Sequence, residues 1–107
     1  MTRIVSVYAV FADAGEAQRI ARTIVEEKLA ACANIIGPCR SIYRWQGAVE
    51  EADEVAAIFK ARVDKAGELT ARIAALHSYD VPAIVVWPIE NAWPAYAEWV
   101  EASVSNP

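Results

Sequence analysis

The spacing of apolar residues changes several times along the chain, and each change predicts an element. Ile4–Phe11 (IVSVYAVF) is a continuous β-branched and aromatic run, the signature of a buried strand. After Asp13 the period lengthens. Ala17, Ile20, Ala21, Ile24 and Val25 recur at helical spacing up to Leu29, with Arg19, Arg22, Glu26 and Glu27 on the opposite face. Asp13 with Glu16 three positions on is a variant of the capping box, which places the helix start. Alternation then returns. Ile35, Cys39, Tyr43 and Trp45 share one parity and Ile36, Arg40, Ile42 and Arg44 the other, with Gly37-Pro38 marking a bulge or bend where register changes. Gln46-Gly47-Ala48 predicts a hairpin turn. Beyond it Val49, Val55, Ala57, Phe59, Ala61 and Val63 alternate with Glu50, Glu54, Lys60 and Arg62, a strand with one wet face. Asp64 is placed to cap a second helix lined by Ala66, Leu69, Ile73 and Leu76 and ending at His77. Residues 83–89 (AIVVWPI) predict a further buried strand, with Pro88 at its edge or end. Asn91 is placed to cap a last short helix striped by Tyr96, Trp99, Val100 and Val104.

The order β-α-β-β-α-β plus a terminal helix predicts an α+β, ferredoxin-like sandwich, with two helices on one face of an antiparallel sheet. One domain covers residues 1–107, and no repeat, linker or low-complexity segment divides it. The central hairpin is the anomaly. Its arms run to about 13–15 residues, against a usual 5–6. Such a hairpin overhangs a small body, and its free edges need a partner, for which another copy of the chain is the natural candidate.

Composition points the same way. Apolar residues make up 56% of the 107, including four Trp and four Tyr, which is more than a lone domain of this size needs to cover its core. The net charge is −4, and the ten basic residues are scattered, so nucleic acid is not an expected partner. Residues 1–11 are too short to span a bilayer and carry no cleavage pattern, so a membrane partner is not expected either, and the expected location is the cytoplasm. There the two cysteines, Cys32 and Cys39, are expected as free thiols.

Chemistry-bearing residues are few. With one histidine, no Gly-rich phosphate loop and no C-x-x-C, no nucleophile–base pair can be assembled, and the chain does not read as an enzyme. Glu50, Glu51, Asp53 and Glu54 form a carboxylate cluster that alternation splits between two faces. Cys32 and Cys39 lie about 23 Å apart along a strand at ~3.3 Å per residue and share no ion unless Gly37-Pro38 folds the strand back. Cys32 could instead meet His77, since both lie near element ends, and thiolate with imidazole suits Cu(I) or Zn. The plainer alternatives are a small buried hydrophobe in an Ala-Ala-Cys-Ala run for Cys32, and a helix C-terminal interaction for His77. Tyr43 and Trp45 read either as a pocket wall or as cross-strand pairs.

Three stretches together carry a resemblance: KLAACAN (residues 28–34), SIYRWQG (41–47) and HSYDVP (77–82), with the late aromatic pair Tyr96 and Trp99. In these residues and their spacing the chain resembles the CutA divalent-cation-tolerance family over residues 4–104. The resemblance implies a ferredoxin-like subunit assembled as a homotrimer through its long hairpins. It also implies a cytoplasmic protein tied to metal tolerance, with copper and other divalent cations as ligands and no firm enzymatic activity. Cys32, Tyr43, Trp45, Lys60, His77 and Tyr79 match family positions that line an inter-subunit cleft, and Glu50 and Glu54 fall where relatives also place acids. Two departures concern metal binding. Where the family turn runs His-Pro-Tyr-x-x-Pro-Glu, Ser78 replaces the proline and Ala83 the glutamate; a second histidine seen in some members is Leu76 here.

The resulting expectation is a trimer whose clefts accept a cation through Cys32 and His77, with Tyr43, Trp45, Glu50, Glu54, Lys60 and Tyr79 around it. A regulatory trimer of PII type, meeting a small anionic metabolite with Lys60 and Arg62, is the alternative. A structural trimer with an indirect link to metals is the third.

Overall fold

The computed structural model describes residues 2–104; Met1 and residues 105–107 of the expected domain lie outside the described residues. The elements are β1 (Ile4–Phe11), α1 (Ala14–Glu26), β2 (Cys32–Trp45), β3 (Ala48–Arg62), a 3-10 turn (Val63–Lys65), α2 (Ala66–Leu76), β4 (Ile84–Pro88) and α3 (Pro94–Ser103). The strands form one sheet in the order β2-β3-β1-β4, and every neighbouring pair is antiparallel. This is the α+β plan that the order of periods predicts.

Alternation decides where the core sits. Val5, Val7, Ala9 and Phe11 of β1 and Val55, Ala57, Phe59 and Ala61 of β3 are buried with Ala17, Ile20, Ala21 and Ile24 of α1 and Leu69 and Ile73 of α2. The opposite parity starts at Ile4, also buried, where α3 packs across β3 and β1 with Val100 and Val104 inward. The first cap forms as expected: Asp13 Oδ1 accepts the Glu16 N–H at 2.8 Å. The reciprocal bond runs from the Ala12 N–H to Glu16 Oε1 at 3.0 Å, one residue before the cap. Asp13→Ala is expected to cost about 1 kcal/mol, read as a lower denaturant midpoint with an unchanged m-value.

Four expectations are corrected. Asp64 does not cap α2, because Arg62 takes its carboxylate at 2.9 and 3.1 Å and the chain enters the helix through the 3-10 turn. Asn91 does not cap α3, because Trp93 holds that position and Pro94 follows at the first turn, where a missing N–H costs nothing. In β2, Ile36 pairs with Ala56 and Cys39 with Glu54, three steps against two. This bulge at Gly37-Pro38, a cis peptide, puts Ile36 rather than Ile35 on the face shared by Cys39, Tyr43 and Trp45. A Cβ on Gly37 would come within 2.9 Å of Val55 Cγ1, so the close approach requires glycine. Finally β4, read as buried, is an edge strand with Val85, Val86 and Trp87 exposed at 39–48%.

The hairpin closes through Gln46 (φ 48°) and Gly47 (φ 82°), the two left-handed positions of a tight primed turn. Its distal half stands off the body. β1 pairs with β3 only as far as Phe11–Val55, so β3 residues 48–54 have β2 on one side and no strand among the described residues on the other. The molecule measures 44 × 25 × 21 Å, and its radius of gyration of 14.3 Å exceeds the value of about 13 Å for a compact domain of this length. Ile42, Tyr43, Trp45 and Val49 on this arm are exposed.

Candidate functional site

The expected site residues gather at two places. The first is where α2 ends and the chain turns to an extended conformation at His77. The buried imidazole stacks on Phe11, centroids 5.0 Å apart and planes 15° apart. Its Nε2 lies 2.7 Å from the Val10 carbonyl, and its Nδ1 accepts the Tyr79 N–H at 3.0 Å. A single tautomer, with the proton on Nε2, satisfies both bonds. Tyr79 lies against the imidazole at 4.8 Å and donates its hydroxyl to Glu54 Oε2 at 2.7 Å. Glu54 sits one residue beyond the last β1–β3 pair, at the root of the hairpin, and is only 8% exposed. Loss of water around the Tyr79 hydroxyl, and then its bond to the Glu54 carboxylate, hold the phenol above its ordinary value of 10.

Glu16 completes this place. It is 5% exposed, and its Oε2 accepts the Ser78 N–H at 2.8 Å. Burial pushes its carboxyl up, but the Ser78 hydroxyl, the Ala12 and Ser78 amides and His77 outweigh it, and the net shift is downward.

By register and alternation, Tyr43 opposes Glu50 and Trp45 opposes Ala48 on the same side of the hairpin as Glu54. Glu51 and Asp53 point the other way, where Arg40 reaches both at 3.4 and 3.0 Å. The carboxylate cluster is split as its alternation predicts.

The second place lies at the far end of the sheet. Cys32 pairs with Lys60 across β2–β3, and its sulfur lies 3.4 Å from the Tyr96 hydroxyl. Burial and then this contact raise the Tyr96 phenol to about 12, and Trp99 packs beside it at 5.8 Å. Cys32 is therefore level with Lys60, whereas His77 is level with Val55. Five residues of strand separate them, about 16 Å at ~3.3 Å per residue. The expected meeting of Cys32 and His77 does not occur within one chain. Among the described residues no three His, Cys, Asp or Glu side chains converge on one point.

Phe11, Glu16 and Tyr96 also belong to these places, and periodicity alone marks none of them as such. Glu16 carries a signal, since its spacing from Asp13 marks it as a cap, but its second oxygen serves a residue 62 positions away.

A four-stranded antiparallel sheet backed by helices, with an overhanging central hairpin and an aromatic–carboxylate group at its root, defines the class: an α+β domain with an extended hairpin arm. Residues 5–103 match the family described as CutA1 divalent ion tolerance protein, and the chain belongs to that family. It is 42% identical over 89 residues to the divalent-cation tolerance protein CutA of Archaeoglobus fulgidus, covering 83% of this chain and 86% of that one. It is 37% identical over 100 residues to the chloroplastic protein CutA of Arabidopsis thaliana, covering 94% of this chain but 55% of that longer protein. The solved structure of CutA1 from Oryza sativa superposes with a TM-score of 0.95 at 34% identity, over 99% of this chain and 97% of that one. Among the described residues no helix is long and apolar enough to cross a membrane.

Proposed function

We propose that the chain serves divalent-cation tolerance as a cytoplasmic homotrimer that holds copper or another divalent ion in clefts between subunits, without catalysis. The observation that carries this reading is Glu54. Its carboxylate is almost fully buried, has a phenol as its hydrogen-bond partner, and forms no ion pair among the described residues. A buried carboxylate in that position favours a cation. One chain supplies no ligand set, so the ion must draw on a second chain. Lys60 and Glu54 stand six residues apart on β3, about 20 Å. The overhanging hairpin of one subunit, laid along its neighbour, would bring the Glu54 group to the Cys32–Lys60 end. The family's description as a divalent ion tolerance protein supports the ligand class.

In this reading Cys32 supplies a soft sulfur suited to copper and Glu54 a charge. His77 joins only by giving up one of its two bonds within the chain. Tyr43, Trp45, Glu50, Lys60 and Tyr79 wall the cleft. Binding weakens as pH falls, because the ligands must shed protons. Calorimetric titration with copper and with zinc tests it. Cys32→Ser and Glu54→Gln should each weaken binding at least tenfold, and His77→Ala less. Unchanged affinity in both of the first two removes the site. Thermal stabilisation by nucleotides or organic acids, with none by metal, would favour the anion-binding alternative at Lys60 and Arg62.

A further inference from the structure

We infer that Glu16 is a positioning residue for the turn that carries Tyr79 to Glu54, fastening that turn to the start of α1. Its functional weight rests on the reading that the Tyr79–Glu54 contact belongs to the ligand cleft. A glutamate at this helix position needs one oxygen for capping, and Oε1 performs that role at the Ala12 amide. Oε2 is surplus to the helix. It takes the Ser78 N–H at 2.8 Å. Ser78 is the residue between His77 and Tyr79.

Three successive amides are then fixed by three different acceptors. The His77 N–H reaches the Ala74 carbonyl at 3.4 Å, the Ser78 N–H reaches Glu16, and the Tyr79 N–H reaches His77 Nδ1. Of these acceptors only Glu16 belongs to α1; the other two lie on α2 or the turn itself. No lysine or arginine pairs with Glu16 among the described residues, so it acts as a hydrogen-bond acceptor and not as half of an ion pair. Without it the Ser78 N–H, on an exposed residue, passes to water, and the turn loses its tie to the helical layer. Glu16→Gln presents an amide NH2 to donors on at least one side. Glu16→Ala withdraws both acceptor oxygens, and comparison with Asp13→Ala, which loses only the cap, sets apart the tie to the turn.

The test is NMR on the metal-free full chain. It reads amide exchange at Tyr79 and the ring-carbon shift next to the Tyr79 hydroxyl, which reports the bond to Glu54. Glu16→Gln and Glu16→Ala should each lose at least tenfold protection at Tyr79 and move its ring signal toward that of a solvated tyrosine. Asp13→Ala, which removes the cap and spares the turn, should leave both in place. Unchanged exchange at Val7 and Phe59 certifies the sheet in every variant, and if Glu16→Ala fails to fold, Glu16→Gln carries the test alone. A Tyr79 signal that stays in place in either folded variant overturns the inference and leaves Glu16 a helix cap. No ion enters this readout, so it stands or falls apart from metal binding.

Discussion

Phe11→Ala is expected to lower stability by about 3–5 kcal/mol and to release His77 and Tyr79 together. Phe11 is fully buried at the last position of β1, paired with Val55 and packed into the core shared with both helices. Removing its ring opens a cavity that β-strand backbones on either side cannot close, which places the cost at the upper end for a large-to-small change. The same ring is the platform on which the imidazole of His77 lies, and the preceding carbonyl, that of Val10, holds the imidazole nitrogen. Phe59→Ala provides the comparison. Phe59 is equally buried but lies four residues further along β3 from Val55, away from the turn. Both variants should lose comparable free energy in denaturant titrations at one protein concentration, but Phe11→Ala alone should displace the Tyr79 ring signal. If the two variants disturb Tyr79 alike, the stack on Phe11 does not set the site.

Much of this arrangement is legible in the residues. The switches between periods of two and of 3.6 locate every strand and helix, because burial on one face is what each element is selected for. Gln46-Gly47 and Asp13–Glu16 are read correctly because turn and cap chemistry is local. The errors arise where a local rule meets a distant competitor. Asp64 is an adequate cap, but Arg62 offers two charged donors. The apolar run of β4 reads as buried, yet in a single chain its position at the sheet edge leaves it exposed. The parity of Ile35 and Ile36 hinges on one extra residue in a bulge whose exact place only the ladder fixes. Cys32 and His77 both lie near element ends, and nothing in the spacing says that those ends are opposite ends of one sheet. Glu54 looks like one acid of a wet cluster, and only the turn after α2 makes it a buried one.

Cutting the hairpin back to its root is expected to abolish assembly while leaving the fold intact. Cys39 and Glu54 are cross-strand neighbours, so residues 40–53 can be replaced by Asn-Gly and the strands still close in register. Every core residue, together with the Tyr79–Glu54 contact, lies outside the excised segment. The cut removes Ile42, Tyr43, Trp45 and Val49, which a lone chain leaves in water, together with the unpartnered stretch of β3 and the distal part of the β2 edge. In the proposed trimer these are the groups that neighbouring chains cover, and the other exposed apolar edge, β4, lies at the opposite side of the sheet. Association should weaken at least a thousandfold, or about 4 kcal/mol. Native mass spectrometry at micromolar concentration should then give three copies for the intact chain and one for the shortened chain. Copper affinity should fall with assembly, since the ion is proposed to need ligands from two chains. A shortened chain that remains trimeric would move the seam to the exposed face of β4, around Val85 and Trp87. The hairpin would then be an arm for some other contact, and Glu54 would have to find its cation without it.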